Sequence, residues 1–295
     1  MAVRITQNML NNNMMRNLNN SMGKMDKLQE QASSGRKISR PSDDPVVATR
    51  GMFYRSSLIE NDQFQRNVNE ASAWMDTTDQ AMDDVNTIIH RVKELVIQSG
   101  STMNQDGYNA IAAEIDQLKE HLGNIANQSL GGKYIFAGND TSHPPFDFAT
   151  DTFTNQNSND ITLEVNKGIY LPINVKGVEV FSVPSTTDNI FQVLSDVSAQ
   201  LRAGNNATSL IPKVDEQLSN VLAIRASLGA RVNRMELIEE RLGAEELNLN
   251  KLMSDNEDAD MAEVITDLKM QENVHKSALG VGARIIQPSL LDFLR

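Results

Sequence analysis

The stretch VLAIRASLGARVNRMELIEERLGAEELNLNKL, residues 221–252, carries the longest continuous pattern in the chain. From Ile224 the seam runs through Leu228, Arg231, Met235, Ile238, Leu242, Glu245, Leu249 and Leu252, in steps that alternate four and three. That is the a/d spacing of a helix packed along one stripe. No proline or turn cluster interrupts it, so the spacing predicts a helix from Val214 to Met253, roughly 60 Å long at 1.5 Å per residue. A helix of that length cannot hide its apolar stripe alone. Two seam positions, Arg231 and Glu245, are polar where an apolar residue would pack better. Polar seam residues set register or partner choice at some cost in stability. A stripe that drifts off the strict heptad would instead turn both outward.

Two further segments have stripes strong enough to lie against it. Val68, Ala71, Met75, Thr78, Met82, Val85, Ile89, Val92 and Val96 alternate three and four without a slip, in a helix that begins near Pro45 after Ser42-Asp43-Asp44. Those three residues are N-cap candidates placed before a proline at a first helical position. After the break at Gly100–Gly107, Tyr108, Ile111, Ile115, Leu118, Leu122 and Ile125 mark a third helix. Weaker helices lie at the two chain ends. Asn8–Ser34 has Met15, Leu18, Met22, Met25, Gln29 and Ala32 at heptad spacing, a thin stripe flanked by Asn. Past the acidic run Asp255–Asp260, Met261, Val264, Ile265, Leu268, Ala278 and Leu279 fall on or near one face, interrupted by Glu272 and His275. The chain closes on Ile285, Ile286 and the apolar tail Leu290, Leu291, Phe293 and Leu294. Apolar surface that cannot bury itself marks an interaction site.

The middle differs in kind. Short apolar runs at Tyr134–Phe136, Thr152-Phe153, Ile161–Val165, Ile169–Val175 and Val178–Val183 are punctuated by Gly, Asn, Asp and Pro. This predicts a β-rich insert of about 55 residues, followed by a short helix over Ile190, Leu194, Val197 and Leu201. The expected fold is therefore mainly α. It is an elongated antiparallel helical bundle, a coiled-coil rod made by both chain ends, with a small β-rich domain at its tip. Terminal helices occupy 1–44 and 255–295, the rod core 45–130 and 188–254, and the insert 131–187.

Composition narrows the function. Among 295 residues, aromatics are only 5% and Met numbers 14, so aliphatic and Met side chains do most of the packing. The net charge of −12 argues against nucleic acid and anionic membranes, whose binding depends on Lys and Arg neutralising phosphates. No apolar run approaches the length of a membrane span, and no secretory h-region is visible at the N-terminus. There is no cysteine, hence no disulfide and no thiolate metal site. His90, His121, His143 and His275 are not at metal-ligand spacing. The acidic run at 255–260 lacks the glycine and the bidentate Glu of a calcium loop, and reads better as a helix break with N-caps. Gly280-Val281-Gly282 has no preceding strand, so it lets helices approach or end. Nothing supports catalysis.

Certain segments resemble a known family. Ile5–Asn8, Ala32–Ser39 and Ser42–Asp44 are similar to the N-terminal region of bacterial flagellins. Arg91–Leu95 with Gln98, Ala113–Ile115, Arg225–Gly229, Glu257–Asp260 and the Leu-rich terminus resemble the flagellin core. Three departures look like the hook-associated members: Pro41 and Pro45 within Ile38–Val47, Gly132–Asp140 with Pro144–Phe146, and Ala283–Leu294. The resemblance implies a structural, non-catalytic subunit without cofactor or metal, forming a homo-oligomeric ring between hook and filament. Its expected partners are the first hook-associated protein on the hook side, flagellin on the filament side and an export chaperone on the C-terminal helix. It is expected outside the cell, exported by the flagellar type III apparatus without a cleaved signal. Its terminal helices are expected to be disordered in the free subunit and to form a coiled coil on assembly. Leu18, Met22, Met25 and Ala32 at one end, and Leu268, Leu279, Ile285, Ile286 and the tail leucines and Phe293 at the other, are the expected interface. The alternative is flagellin itself, the bulk filament subunit.

Overall fold

The computed structural model of the chain describes residues 7–101, 104–150, 152–155, 157, 159–183 and 188–286. Its helices, in order, are α1 (Gln7–Ser34), α2 (Pro45–Gln98), α3 (Gln105–Ala126), α4 (Gly177–Phe181), α5 (Ile190–Arg202), α6 (Ile211–Glu257) and α7 (Met261–Ile286). Between α3 and α4 lie three antiparallel two-stranded ladders. They pair β1 (Ser129–Leu130) with β2 (Lys133–Tyr134), β3 (Phe146–Asp147) with β4 (Thr152–Phe153), and β5 (Thr162–Asn166) with β6 (Ile169–Pro172). The mainly helical fold with small strand pairs in the middle matches the sequence expectation.

The caps explain where the helices start. Asp44 Oδ1 accepts from the backbone N–H groups of Val46 (2.9 Å) and Val47 (3.1 Å), with Pro45 at the first helical position of α2. Asn104 and Asn189 cap α3 and α5 in the same way. Asp260 Oδ1 accepts from Ala262 and Glu263 at the head of α7, so the end of the acidic run works as a helix start.

The chain divides into two compact units: a central unit, Asn61–Ala244, and a terminal unit formed by Met1–Glu60 with Glu245–Arg295. In the central unit, all nine stripe positions of α2 from Val68 to Val96 are buried. They share one core with Ile111, Ile115, Leu122 and Ile125 of α3, Ile190, Leu194, Val197 and Leu201 of α5, and Val221, Leu228, Met235, Ile238 and Leu242 of α6. Here α2 and α6 run antiparallel. Asn61 Nδ2 donates to Leu242 O, Arg225 pairs with Asp79, and Lys93 with Asp215 at 2.6 Å.

The insert is stitched into this same core. Phe136, Phe146, Phe153 and Phe181 from the insert join Phe191 of α5 in one aromatic cluster, with Phe146 and Phe191 stacked at 4.3 Å and Phe136 and Phe181 edge-on at 5.2 Å. One expectation fails: Val178–Val183 is not a strand, because α4 occupies Gly177–Phe181. The alternating residues VEVFSV suggest a strand, but the backbone at Gly177 rests against Phe136 O and the Phe153 ring. Its N–H donates to Phe136 O (3.2 Å), and the following turn coils to drive Val180 and Phe181 into the core.

The α6 stripe also departs from the strict heptad. Inward positions run Leu242, Glu246, Leu249, Met253 and Asn256, while Glu245 is exposed and Leu252 is 38% exposed. A straight helix turns once per 3.6 residues, so a 3.5-residue stripe drifts about 20° per heptad and loses its place by one residue over this length.

Candidate assembly surfaces

Helices α1 and α7 pair antiparallel in the terminal unit. Gln271 Nε2 donates to Ser21 Oγ (2.9 Å) and lies 3.4 Å from Ser21 O, while Gly282 packs against Met14. Residue numbers thus fall on α7 as they rise on α1. The α1 face turned inward is Asn11, Met14, Leu18, Ser21, Met25, Leu28 and Ala32; the α7 face is Val264, Leu268, Gln271, His275, Ala278 and Gly282. Both follow the three-four spacing. The seam is thin, with Met and Ala where Leu would be usual, and only Ser21, Val264 and Gly282 are buried outright. Asn11 Oδ1 and His275 Nδ1 are shielded from solvent with no hydrogen-bond partner among the described residues.

A polar clasp closes one end of this pair. Lys37 N–H donates to Glu257 O (2.7 Å) and Ala259 N–H to Gly35 O (2.9 Å), making a two-sided bridge between Arg36 and Asp258. Lys37 Nζ donates to Asp255 O (3.1 Å), and Asn256 Nδ2 to Val47 O (3.0 Å). The Glu257 carboxylate, 5% exposed, pairs with Arg55 and lies directly on the α2 backbone at Gly51. A Cβ at residue 51 would fall on Glu257 Oε1, so only glycine leaves room for the carboxylate there. In the adjoining loop, Arg40 N–H donates to Asp43 Oδ2 (3.2 Å). That bond, aided by the charge of Lys27, holds the Asp43 carboxyl below its ordinary value.

The interface residues expected from sequence fall into three groups. Leu18, Met25, Ala32 and Leu268 are half-buried in the α1·α7 seam. Met22 and Leu279 are 52% and 48% exposed, on the flanks of that seam. Ile285 and Ile286 complete α7, whereas Leu290, Leu291, Phe293 and Leu294 lie outside the described residues. Of the polar seam residues, Glu245 is exposed, and half-buried Arg231 donates to Asn174 O (3.0 Å), tying α6 to the end of the insert. Ser21 and Gln271 are not among the residues expected from sequence, and Glu257 is expected only as part of a family segment, not as a buried partner of Arg55. Ser21 and Gln271 do sit at heptad spacing from Leu18 and Leu268, the one signal that would have found them.

Exposed apolar side chains concentrate in the terminal unit. Met261, Ile265 and Leu279 line one flank of α7, and Met270, Val274 and Val281 the other. Val46, Met52, Phe53 and Ile59 protrude from the first turns of α2, with Phe53 at 65% and Ile59 at 67%. Of 21 large apolar residues exposed among the described ones, 15 belong to this unit. Its apolar residues buried outright are Leu249 and Val264 alone among those described. Chemically, such a surface binds other protein surfaces rather than transforming a small molecule.

Comparison with known proteins agrees. The bacterial flagellin N-terminal helical region matches residues 5–141, and the bacterial flagellin C-terminal helical region matches residues 211–294. The chain belongs to the bacterial flagellin family. Within this flagellin-family chain the first match holds α1, α2 and α3 and the second α6 and α7, so both halves of the terminal unit are family sequence. Flagellar hook-associated protein 3 of Salmonella typhimurium is 28% identical over 296 residues, covering 92% of this chain and 93% of that protein. Flagellin of Bacillus subtilis is 25% identical over 282 residues, covering 90% of each. The crystal structure of the flagellar junction protein FlgL from Legionella pneumophila shares the fold with a TM-score of 0.60 at 14% identity, over 71% of this chain and all of that one.

Proposed function

We propose that this chain is a structural subunit of the junction between flagellar hook and filament, and that its terminal unit joins it to neighbouring subunits. The observation that carries the reading is the imbalance in the terminal unit: fifteen exposed large apolar residues around a seam with almost no buried core. A surface of that kind is costly in water and is stabilised when neighbours cover it, at roughly 25 cal/mol per Å² of apolar area. The similarity to hook-associated protein 3 of Salmonella typhimurium, 28% identical against 25% for Bacillus subtilis flagellin over a like share of the chain, supports the junction over the filament. In this reading copies form a ring, stacked on the first hook-associated protein and presenting a flagellin-like surface above. The chain is exported without a cleaved signal, and a chaperone shields α7 before assembly. The terminal helices pair fully only once neighbours cover them.

The test is localisation. Electron microscopy of flagella carrying a labelled copy should place the label in one narrow band at the hook's distal end. Removing Val281–Arg295 should leave a folded, secreted chain that fails to connect hook and filament; normal filaments from that truncation would overturn the reading. A second reading, bulk flagellin, draws on the similarity to Bacillus subtilis flagellin. Label distributed along the whole filament, with thousands of copies, would establish it instead.

A further inference from the structure

The α1·α7 seam poses a problem of alignment. Met14, Leu18, Met25, Leu28 and Ala32 face Val264, Leu268 and Ala278, and each of these would pack about as well against the next partner along. Met in particular fills irregular gaps without specifying a geometry. Apolar contacts along the seam would let α1 slide by a heptad on α7, and the Arg36–Asp258 bridge ties down only the end of the pair nearest Ser34. We propose that the hydrogen-bonded pair Ser21–Gln271 fixes the register of α1 on α7, with Met14 seated over Gly282 as the second stop.

The argument rests on what a slip would do. Ser21 is 7% exposed, and Gln271 reaches both its hydroxyl and its carbonyl. Moving α1 by seven residues in one direction sets Ser21 against Val264 and in the other against Ala278. Gln271 then faces Leu28 or Met14, so in either direction both polar side chains lose their partner to an apolar group. Leaving the buried Ser21 hydroxyl unsatisfied disfavours the slipped state by about tenfold; half-buried Gln271 adds less. A shift that offered His275 to Ser21 would leave Gln271 against Met25. At the far end a Cβ on residue 282 would fall within 2.6 Å of Met14 Sδ, so the Met14 side chain occupies the notch that glycine leaves. Gly280, two residues earlier, has nothing within 4 Å; of the two glycines in that motif, only Gly282 is shaped to its partner. This is the role that single polar residues play in coiled coils, where they select one alignment at some cost in stability.

Register matters because the exposed flanks are composite. Met15 and Met22 of α1 stand beside one set of α7 flank residues only in the observed alignment, and a heptad slip carries them about 10 Å along. The register does not depend on where the chain assembles; its consequence for assembly rests on the junction reading.

The chain has no cysteine, which makes the test direct. In a full-length chain with Met14→Cys and Gly282→Cys, the thiol at residue 14 would lie near the Met14 Cγ position, 3.8 Å from the added Cβ. Oxidation of flagella carrying this chain should close an intramolecular bond, read as a mobility shift on non-reducing gels. A second chain, Met14→Cys with His275→Cys, closes only if α1 has slipped by a heptad. Adding Ser21→Ala and Gln271→Leu should lower the first bond and raise the second, shifting the ratio of the two by about tenfold. Three results overturn the proposal: the 14–282 bond fails to close in the parent, it closes equally well without the pair, or both bonds fall together, which would mean the pair holds α1 without aligning it. The bonds are read within single chains, so they report on register even if labelling places the protein elsewhere in the flagellum.

Discussion

The two units use the same kinds of residue to opposite ends. In the central unit, Asn61–Ala244, heptad stripes on α2, α3, α5 and α6 meet and close over one another, with the insert's phenylalanines sealing the core. In the terminal unit, stripes of similar spacing close over almost nothing. Charge follows the same division. Of the chain's 27 Lys and Arg and 39 Asp and Glu, the terminal unit holds 14 and 15 and the central unit 13 and 24, so net charges of −1 and −11. A near-neutral unit with exposed apolar flanks is suited to packing against copies of itself; a unit at −11 stays solvated and repels them. The lesson is that heptad spacing says a helix will be covered without saying by what. The self-covered unit should answer to mutations with lost stability, and the partner-covered unit with lost assembly.

The largest effect should come from the aromatic cluster. Phe181 is fully buried and touches the rings of Phe136, Phe153 and Phe191. Phe181→Ala should lower the unfolding free energy, measured by denaturant titration, by about 3–5 kcal/mol. A loss under 1 kcal/mol would break the contrast between the units at its strongest point.

The clasp comes next and offers a change of sign. Gly51→Ala forces the Glu257 carboxylate off the α2 backbone and away from Arg55, an overpacking cost of about 1–3 kcal/mol. Working against it, alanine favours a helix interior over glycine by about 1 kcal/mol. In the wild-type background the substitution should therefore destabilise. In a Glu257→Ala background, where nothing occupies the space, it should stabilise by roughly that last amount. Hydrogen exchange at residues 47–55 and 254–259 would report both. The same sign in both backgrounds would mean the close approach has no energetic weight.

Sequence and structure part company where two stripes compete. On α2 the stripe Val68–Val96 is apolar at every step but Thr78 and buried at all nine positions, and the apolar row beside it, Trp74, Ala81, Ile88 and Leu95, is buried with it rather than competing. On α1, Met15 and Met22 are more apolar than Ser21 and so suggest a seam through themselves, yet the inward face passes through Met14, Ser21 and Leu28. Heptad spacing from Leu18 allows Ser21 a seam position, but what chooses it over Met22 is the Gln271 amide on the other helix, 250 residues away. The clasp is hidden for the same reason: Gly51 and Glu257 are 206 positions apart in sequence and meet only through tertiary contact. Arg231 and Glu245 had the same spacing and met different fates. The stripe's drift released Glu245 to solvent, while the insert offered Arg231 the Asn174 carbonyl.

A smaller loss tests the central unit's surface. Arg225 donates to both Asp79 oxygens (2.9 and 3.1 Å) and to Asp83, and this pairing raises the basicity of the guanidinium, with the Asp79 bonds contributing most. Arg225→Lys keeps the charge but cannot reproduce the two-pronged contact. The expected loss is about 1 kcal/mol, since the pair is partly solvated. It should shrink in high salt, where screening weakens the extra attraction that the arginine has over a lysine.

The smallest effect on stability should accompany a large effect on assembly. Val274 and Val281 are 50% and 57% exposed on one flank of α7, outside the seam. Replacing both with Ser removes apolar surface that the single chain does not bury, so the unfolding free energy should change by no more than about 0.5 kcal/mol. In a ring of copies the same side chains would be covered, and losing two of them at roughly 1.5 kcal/mol or more each would lower affinity at least a hundredfold. The measurement pairs a denaturation curve with the fraction of flagella carrying the labelled variant. An unchanged curve with an empty junction is the pattern that separates a surface kept for neighbours from one that is merely exposed. If the variant incorporates like wild type, this flank of α7 is not part of the interface, and the search passes to Met261, Ile265 and Leu279 on the other side.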